Sequence, residues 1–174
     1  MSDKMLCNAA LAGDAEVLCE LMGSGADVNE TDILGITPLI GSCMGGSAKC
    51  TRLLLERGAD LDKGDTLGTT PLMAACRDGH EAVAQVLFKK GAAISAVLDK
   101  TNKYGYTALH LACLHGHASC VLALLNAGAD PLVKDITDRT AADWARVNAQ
   151  RTDEKSTKGD RRCAQQCLEL IESF

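Results

Sequence analysis

The chain repeats itself every 33 residues or so, and this confines it to a row of similar units, each burying its apolar face against the next. Thr37-Pro38-Leu39 recurs as Thr70-Pro71-Leu72 after 33 residues, as Thr107-Ala108-Leu109 after a further 37, and as Thr140-Ala141-Ala142 after 33 more. A second marker, Gly25-Ala26-Asp27, returns as Gly58-Ala59-Asp60, Gly91-Ala92-Ala93 and Gly128-Ala129-Asp130 in steps of 33, 33 and 37. Two independent markers keep one register, which coincidence does not produce. The four extra residues of the long step fall between Ile94 and Tyr104.

Each unit has a physical logic. A threonine caps a helix, and the proline after Thr37 and Thr70 suits the first helical position, where no backbone N–H is needed. A short apolar helix follows and is broken by Gly13, Gly46, Gly79 or Gly116. A second helix comes next, such as Ala48 to Glu56 or Ala118 to Asn126. Gly25, Gly58, Gly91 and Gly128 stand where a helix ends in a left-handed residue. An extended finger then closes on a tight turn, Asp32-Ile33-Leu34-Gly35, Asp65-Thr66-Leu67-Gly68 or Asn102-Lys103-Tyr104-Gly105.

At this point the pattern becomes specific. Thr107-Ala108-Leu109-His110-Leu111-Ala112, with Gly116-His117, Gly79-His80 and the Gly-Ala-Asp strings, resembles the ankyrin repeat. The resemblance covers nearly the whole chain as one domain of five units, near 1–32, 33–65, 66–102, 103–135 and 136–174, with a polar insertion at 148–160 in the last. The three middle units match strongly and the outer two weakly, as capping units do. The resemblance implies an all-α solenoid of stacked helix pairs with short projecting β-hairpin fingers.

Stacking the units explains most of the composition. Leu6, Leu39, Leu72 and Leu109 share one column, and Leu21, Leu54, Leu87 and Leu124 another. Ala9, Ser42, Ala75, Ala112 and Ala145 form a small-residue column, where adjacent helices approach closely. Cys43, Cys76 and Cys113 stand in line with Ala10, and Cys50 and Cys120 in line with Val17 and Val83, so these thiols read as small hydrophobes. Glu20 occupies a place filled elsewhere by Leu53, Val86 and Ala123, which suits a helix with no neighbour on one side. Arg161 to Glu172 has the pattern of an amphipathic helix sealing the far end, preceded by a mobile polar stretch for which a solvated linker is the stronger expectation than a phosphorylation site at Ser156 or Thr157.

Several functions are disfavoured. A formal charge of −5 argues against a general electrostatic grip on nucleic acid or an acidic membrane. The longest wholly apolar run, Cys120 to Leu125, is far short of the ~20 residues that span a bilayer. Nine cysteines without a secretion signal point to reduced thiols in the cytoplasm or nucleus. No histidine is matched by a nucleophile and a carboxylate in a known catalytic order, so no catalytic residue is assigned and the chain is not expected to be an enzyme. Cys163 and Cys167 form half a zinc site at most, and the glycine pair at 45–46 lacks the lysine of a phosphate-binding loop, so neither metal nor cofactor is expected.

The resemblance implies a protein or peptide partner, bound by the finger tips and the exposed side of each first helix. Carried over place by place, these positions are Ile33, Leu34, Ile36 and Met44; Thr66, Leu67, Thr69, Arg77 and Asp78; Lys103, Tyr104, Tyr106, Leu114 and His115; and Ile136, Arg139 and Arg146. Ile33, Leu34, Ile36, Leu67, Tyr104 and Tyr106 have no evident core role and form an apolar stripe. The alternative for the stripe is that neighbouring fingers pack these side chains together. Trp144, the single tryptophan, either covers the last groove or anchors a peptide. Leu21, Asp27, Val28 and Asn29 resemble the string whose asparagine is hydroxylated in some ankyrin proteins, which makes Asn29 a possible modification site; a turn-supporting role is the stronger expectation. The chain is thus expected to be a monomeric adaptor binding its partner on a concave face. The alternative is a permanent structural subunit of a larger assembly, which would expose apolar patches on the outer helices as well.

Overall fold

Four threonines set the architecture. Thr37, Thr70, Thr107 and Thr140 accept hydrogen bonds from the backbone N–H of Ile40, Met73, His110 and Asp143, satisfying donors that the first turn of a helix leaves open. The computed structural model describes residues 3–90, 92–150 and 158–174. Its helices are α1 (Asp3–Ala12), α2 (Ala15–Gly23), α3 (Pro38–Met44), α4 (Ala48–Glu56), α5 (Pro71–Arg77), α6 (Glu81–Phe88), the single-turn α7 (Ala92–Ser95), α8 (Ala108–His115), α9 (Ala118–Asn126), α10 (Ala141–Ala149) and α11 (Lys158–Ser173). The first helices of the units, α1, α3, α5, α8 and α10, pack on one another in chain order, and the second helices α2, α4, α6, α9 and α11 form a parallel row behind them.

The columns read from the sequence are the core. Leu6, Leu39, Leu72 and Leu109 are sealed from solvent, and so are Ser42, Ala75, Ala112 and Ala145. The buried Ser42 hydroxyl is satisfied by the Leu39 carbonyl and Thr51 Oγ1, so its polarity carries no desolvation penalty there. Close approach is most severe where α3 meets α1: a Cβ on Gly45 would lie 2.0 Å from the Leu11 carbonyl oxygen, so only glycine lets the two helices meet. Cys43, Cys76, Cys113, Cys50 and Cys120 are all fully buried. Burial pushes the Cys43 thiol up to about 12. Contact with a second thiol, together with burial, raises Cys76 (beside Cys120) and Cys113 (beside Cys167). The Cys43, Cys76 and Cys113 thiols stay protonated, and all five sulfurs pack as hydrophobes.

Histidines stitch the units together. His80 and His117 make no side-chain cap to their own helices; instead Nε2 of each reaches a carbonyl of the unit before, Met44 O and Arg77 O, both at 3.0 Å. His110 joins its Nδ1 to Thr107 Oγ1 at 2.8 Å and its Nε2 to the Arg139 carbonyl of the next unit at 3.2 Å. The ring is buried, and this burial lowers its pKa.

Three expectations change. Val17 is exposed rather than buried with Cys50, Val83 and Cys120, and Leu21 is only half-buried, because among the described residues only α1 and α4 pack substantially on α2; exposed Glu20 beside them fits the same open edge. The β-hairpin fingers are hydrogen-bonded turns, and no strand occurs among the described residues. The polar insertion placed at 148–160 starts later and ends sooner, because α10 continues through Ala149 and α11 begins at Lys158. Asn148 is buried in α10, with Nδ2 donating to the Cys113 carbonyl at 3.5 Å. Ser156 and Thr157, and the mobility expected around them, lie outside the described residues. At the long step, Ile94, Val97 and Leu98 enter the core.

Candidate partner-binding surface

The fingers are one turn built four times, and each takes the number, two to five, of the unit whose first helix follows it. In each, the first side chain accepts two backbone N–H bonds: Asp32 from Leu34 and Ile36, Asp65 from Leu67 and Thr69, Asn102 from Tyr104 and Tyr106, and Asp135 from Thr137 and Arg139. Asp and Asn serve this turn because a short side chain carries the acceptor. Successive fingers are tied by one backbone bond each, Thr66 N to Leu34 O and Lys103 N to Leu67 O, both at 2.9 Å, and Ile136 N to Tyr104 O at 3.3 Å. With their backbones engaged in this way, the fingers stand in a fixed row. In the fifth finger Asp138 takes the glycine place at φ 64°, a conformation Asp tolerates better than most side chains.

The row presents apolar side chains to solvent. Ile33 is 83% exposed, Leu34 55%, Leu67 43%, Tyr104 47% and Ile136 71%. Ile36 and Tyr106 correct the expectation that they have no core role: both are half-buried and pack against the core, Tyr106 with its ring edge-on to Trp144 at 5.7 Å. On the first helices, Met44 and Leu114 are half-buried, and His115 is exposed with its ring stacked on His117 at 6.3 Å. Arg77 is held by Asp78 through two bonds, at 2.9 and 2.8 Å, and the carboxylate raises the guanidinium pKa. Two residues of this surface escaped the sequence reading. Leu11 and Val147 are 47% and 41% exposed, in the same helical column as Met44, Arg77 and Leu114. Counting by 33 from Met44 and Leu114 finds them.

Trp144 resolves toward a structural role at the edge of this surface. Its Nε1 donates to Asp135 Oδ2 at 2.7 Å, and the Arg139 guanidinium lies 4.9 Å over its ring. Arg146 faces away to Asp143 and Glu172. Burial pushes the Asp135 carboxyl up, but hydrogen bonds from Thr137, Trp144 and the Arg139 and Thr137 backbones outweigh it and bring it down to about 2. A depressed carboxyl stabilises the fold above its unfolded pKa and loses that effect as pH falls. Acid titration is therefore expected to loosen the fifth finger between about pH 3.8 and about 2, with Trp144 fluorescence changing in that window. Asp135→Asn should remove the change.

Asn29 is engaged at both ends of its amide: Oδ1 accepts from Asp60 N at 2.9 Å and Nδ2 donates to Gly58 O at 3.4 Å. Asp99 repeats the first of these bonds with Asp130 N, also at 2.9 Å. The place therefore joins neighbouring units, as the turn-supporting reading expects.

The outer helices look different. Lys49, Arg52, Glu56 and Arg57 on or next to α4, and Glu81, Gln85, Lys89 and Lys90 on or next to α6, are all exposed. Among the described residues no helix is long and apolar enough to cross a membrane.

Comparison with known families agrees with this geometry. A family model for ankyrin repeats in 3 copies matches residues 6–97, and another for ankyrin repeats in many copies matches residues 72–125. No curated protein matches the chain. Threonine-capped helix pairs, histidine stitches and a row of turns, matched by these models over most of the sequence, place the chain in the ankyrin repeat family.

Proposed function

We propose that the chain is a binding module that grasps a protein or peptide on the concave face made by its finger tips and first helices. Ankyrin repeats are protein–protein interaction modules in general, and the finer reading here rests on one observation. Ile33, Leu34, Leu67, Tyr104 and Ile136 are exposed in a single row on turns whose backbones are already satisfied. Apolar side chains held rigidly in water lose little conformational entropy on binding and gain from desolvation. Met44, Leu114 and His115 extend the surface onto the helices, and Ile36, Tyr106 and Trp144 support it from beneath. The charged outer faces of α4 and α6 favour an adaptor over a permanently buried subunit, and the reduced thiols suit the cytoplasm or nucleus.

Selection of displayed random dodecapeptides on the immobilised protein tests this. Selected peptides should bind Leu67→Asp at least about tenfold more weakly, the scale of a truncated anchor residue, and bind Gln85→Ala on the outer row unchanged. Peptides indifferent to Leu67→Asp and weakened by Gln85→Ala would remove the reading.

A further inference from the structure

The tip row is not chemically uniform, and its charged end has an unanswered requirement. Around finger five the carboxylates are consumed internally. Asp135 is buried and holds Thr137, Arg139 N and Trp144 Nε1; Asp143 holds Thr140 and Arg146; Asp138 holds Lys134 at 2.9 Å. Two cations on the same end have no such partner among the described residues. Lys103 projects from the tip of finger four, and the exposed Arg139 has its guanidinium carbon 4.9 Å from the centroid of the Trp144 ring and no ion pair among the described residues. The two stand on fingers joined by the Ile136 N to Tyr104 O bond, so they are neighbours on one ledge. Contact with the indole restrains the guanidinium, a planar set of donors, on an exposed residue that no carboxylate pairs with among the described residues. At the other end of the row, Ile33, Leu34 and Leu67 carry no charge at all.

We infer that the partner is an acidic peptide: an extended segment whose apolar residues lie along Ile33, Leu34 and Leu67 and whose Asp or Glu side chain is taken by Arg139, with Lys103 beside it. This rests on the proposed tip-row function and names the chemistry of its ligand. A planar guanidinium accepts a carboxylate through two parallel bonds, and Tyr104 and Tyr106 flank the contact with aromatic surface. The chain's overall charge of −5 would repel an acidic ligand elsewhere, so the local pair also sets its orientation on the row.

The test uses the same random dodecapeptide library on the full chain and on Arg139→Gln. The wild-type protein should enrich peptides that join apolar residues to Asp or Glu. Those peptides should bind Arg139→Gln about fivefold more weakly and lose most of their salt dependence, while Arg139→Lys and Lys103→Gln give intermediate losses. Matching melting curves for wild type and Arg139→Gln exclude a folding effect. Peptides sensitive to Leu67→Asp but without acidic enrichment, or with acidic enrichment that Arg139→Gln leaves unchanged, would overturn the inference and leave the tip-row reading standing. Peptides indifferent to Leu67→Asp would end both.

Discussion

Ala112→Leu should split the stack at its fourth unit. Ala112 is fully buried in the small-residue column with Ser42, Ala75 and Ala145, where α5, α8 and α10 lie against one another. Overpacking of this kind costs about 1–3 kcal/mol, occasionally more. A chain of this size loses about 2–4 °C per kcal/mol, so the melting temperature should fall by several degrees, on the order of 10 °C at the upper end. Each unit touches only its neighbours, so damage in the middle also uncouples the two halves and broadens the transition. Ala82→Leu, on the exposed side of α6, serves as the control and should melt like the wild type. A wild-type curve for Ala112→Leu would show that the column is misassigned.

The second large effect is on binding. Leu34→Asp combined with Tyr104→Ala should leave the fold unchanged and weaken a selected peptide by about a hundredfold or more, the combined scale of two anchor residues. The fold should survive because the turns use backbone atoms. Leu34 N donates to Asp32 and its carbonyl accepts from Thr66; Tyr104 N donates to Asn102 and its carbonyl accepts from Ile136. The Leu34 side chain is 55% exposed, and the Tyr104 ring lies 6.1 Å from that of Tyr106. Circular dichroism should show unchanged helix content, and fluorescence anisotropy should show the loss. Undiminished binding by the folded double variant would take Leu34 and Tyr104 out of the interface.

These two substitutions mark what was legible in the sequence. Ala112 was placed by arithmetic alone, because a strict period turns position along the chain into position in the stack. The same arithmetic found the threonine caps, the turn carboxylates and the histidine places. It misled at the ends. Val17 has the same residue type as Val83 and the same place in its unit, but burial in a stack depends on a neighbouring unit, which periodicity does not report. In the long step it kept register but did not report that Ile94 of α7, with Val97 and Leu98 after it, enters the core.

The candidate surface divides in a similar way. Ile33, Leu34 and Leu67 were placed as exposed tips because the turn geometry dictates it. Ile36 and Tyr106 pack inward because the residue after the finger glycine heads back toward the helices, a direction the apolar pattern does not encode. Trp144 had two readings until its hydrogen bond to Asp135 and its edge contact with Tyr106 tied it to the fold. Arg77, placed on the binding surface from the sequence, is held in an ion pair with its neighbour Asp78, whereas Arg139 has no ion pair among the described residues.

The most direct measurement is amide chemical-shift mapping of the isotope-labelled protein with a selected peptide bound. The largest shifts should fall on the fingers, at Ile33, Leu34, Leu67, Tyr104 and Ile136, with smaller ones on Met44, Leu114 and His115. Shifts concentrated on the outer helices α4, α6 and α9, with the fingers unmoved, would contradict the account.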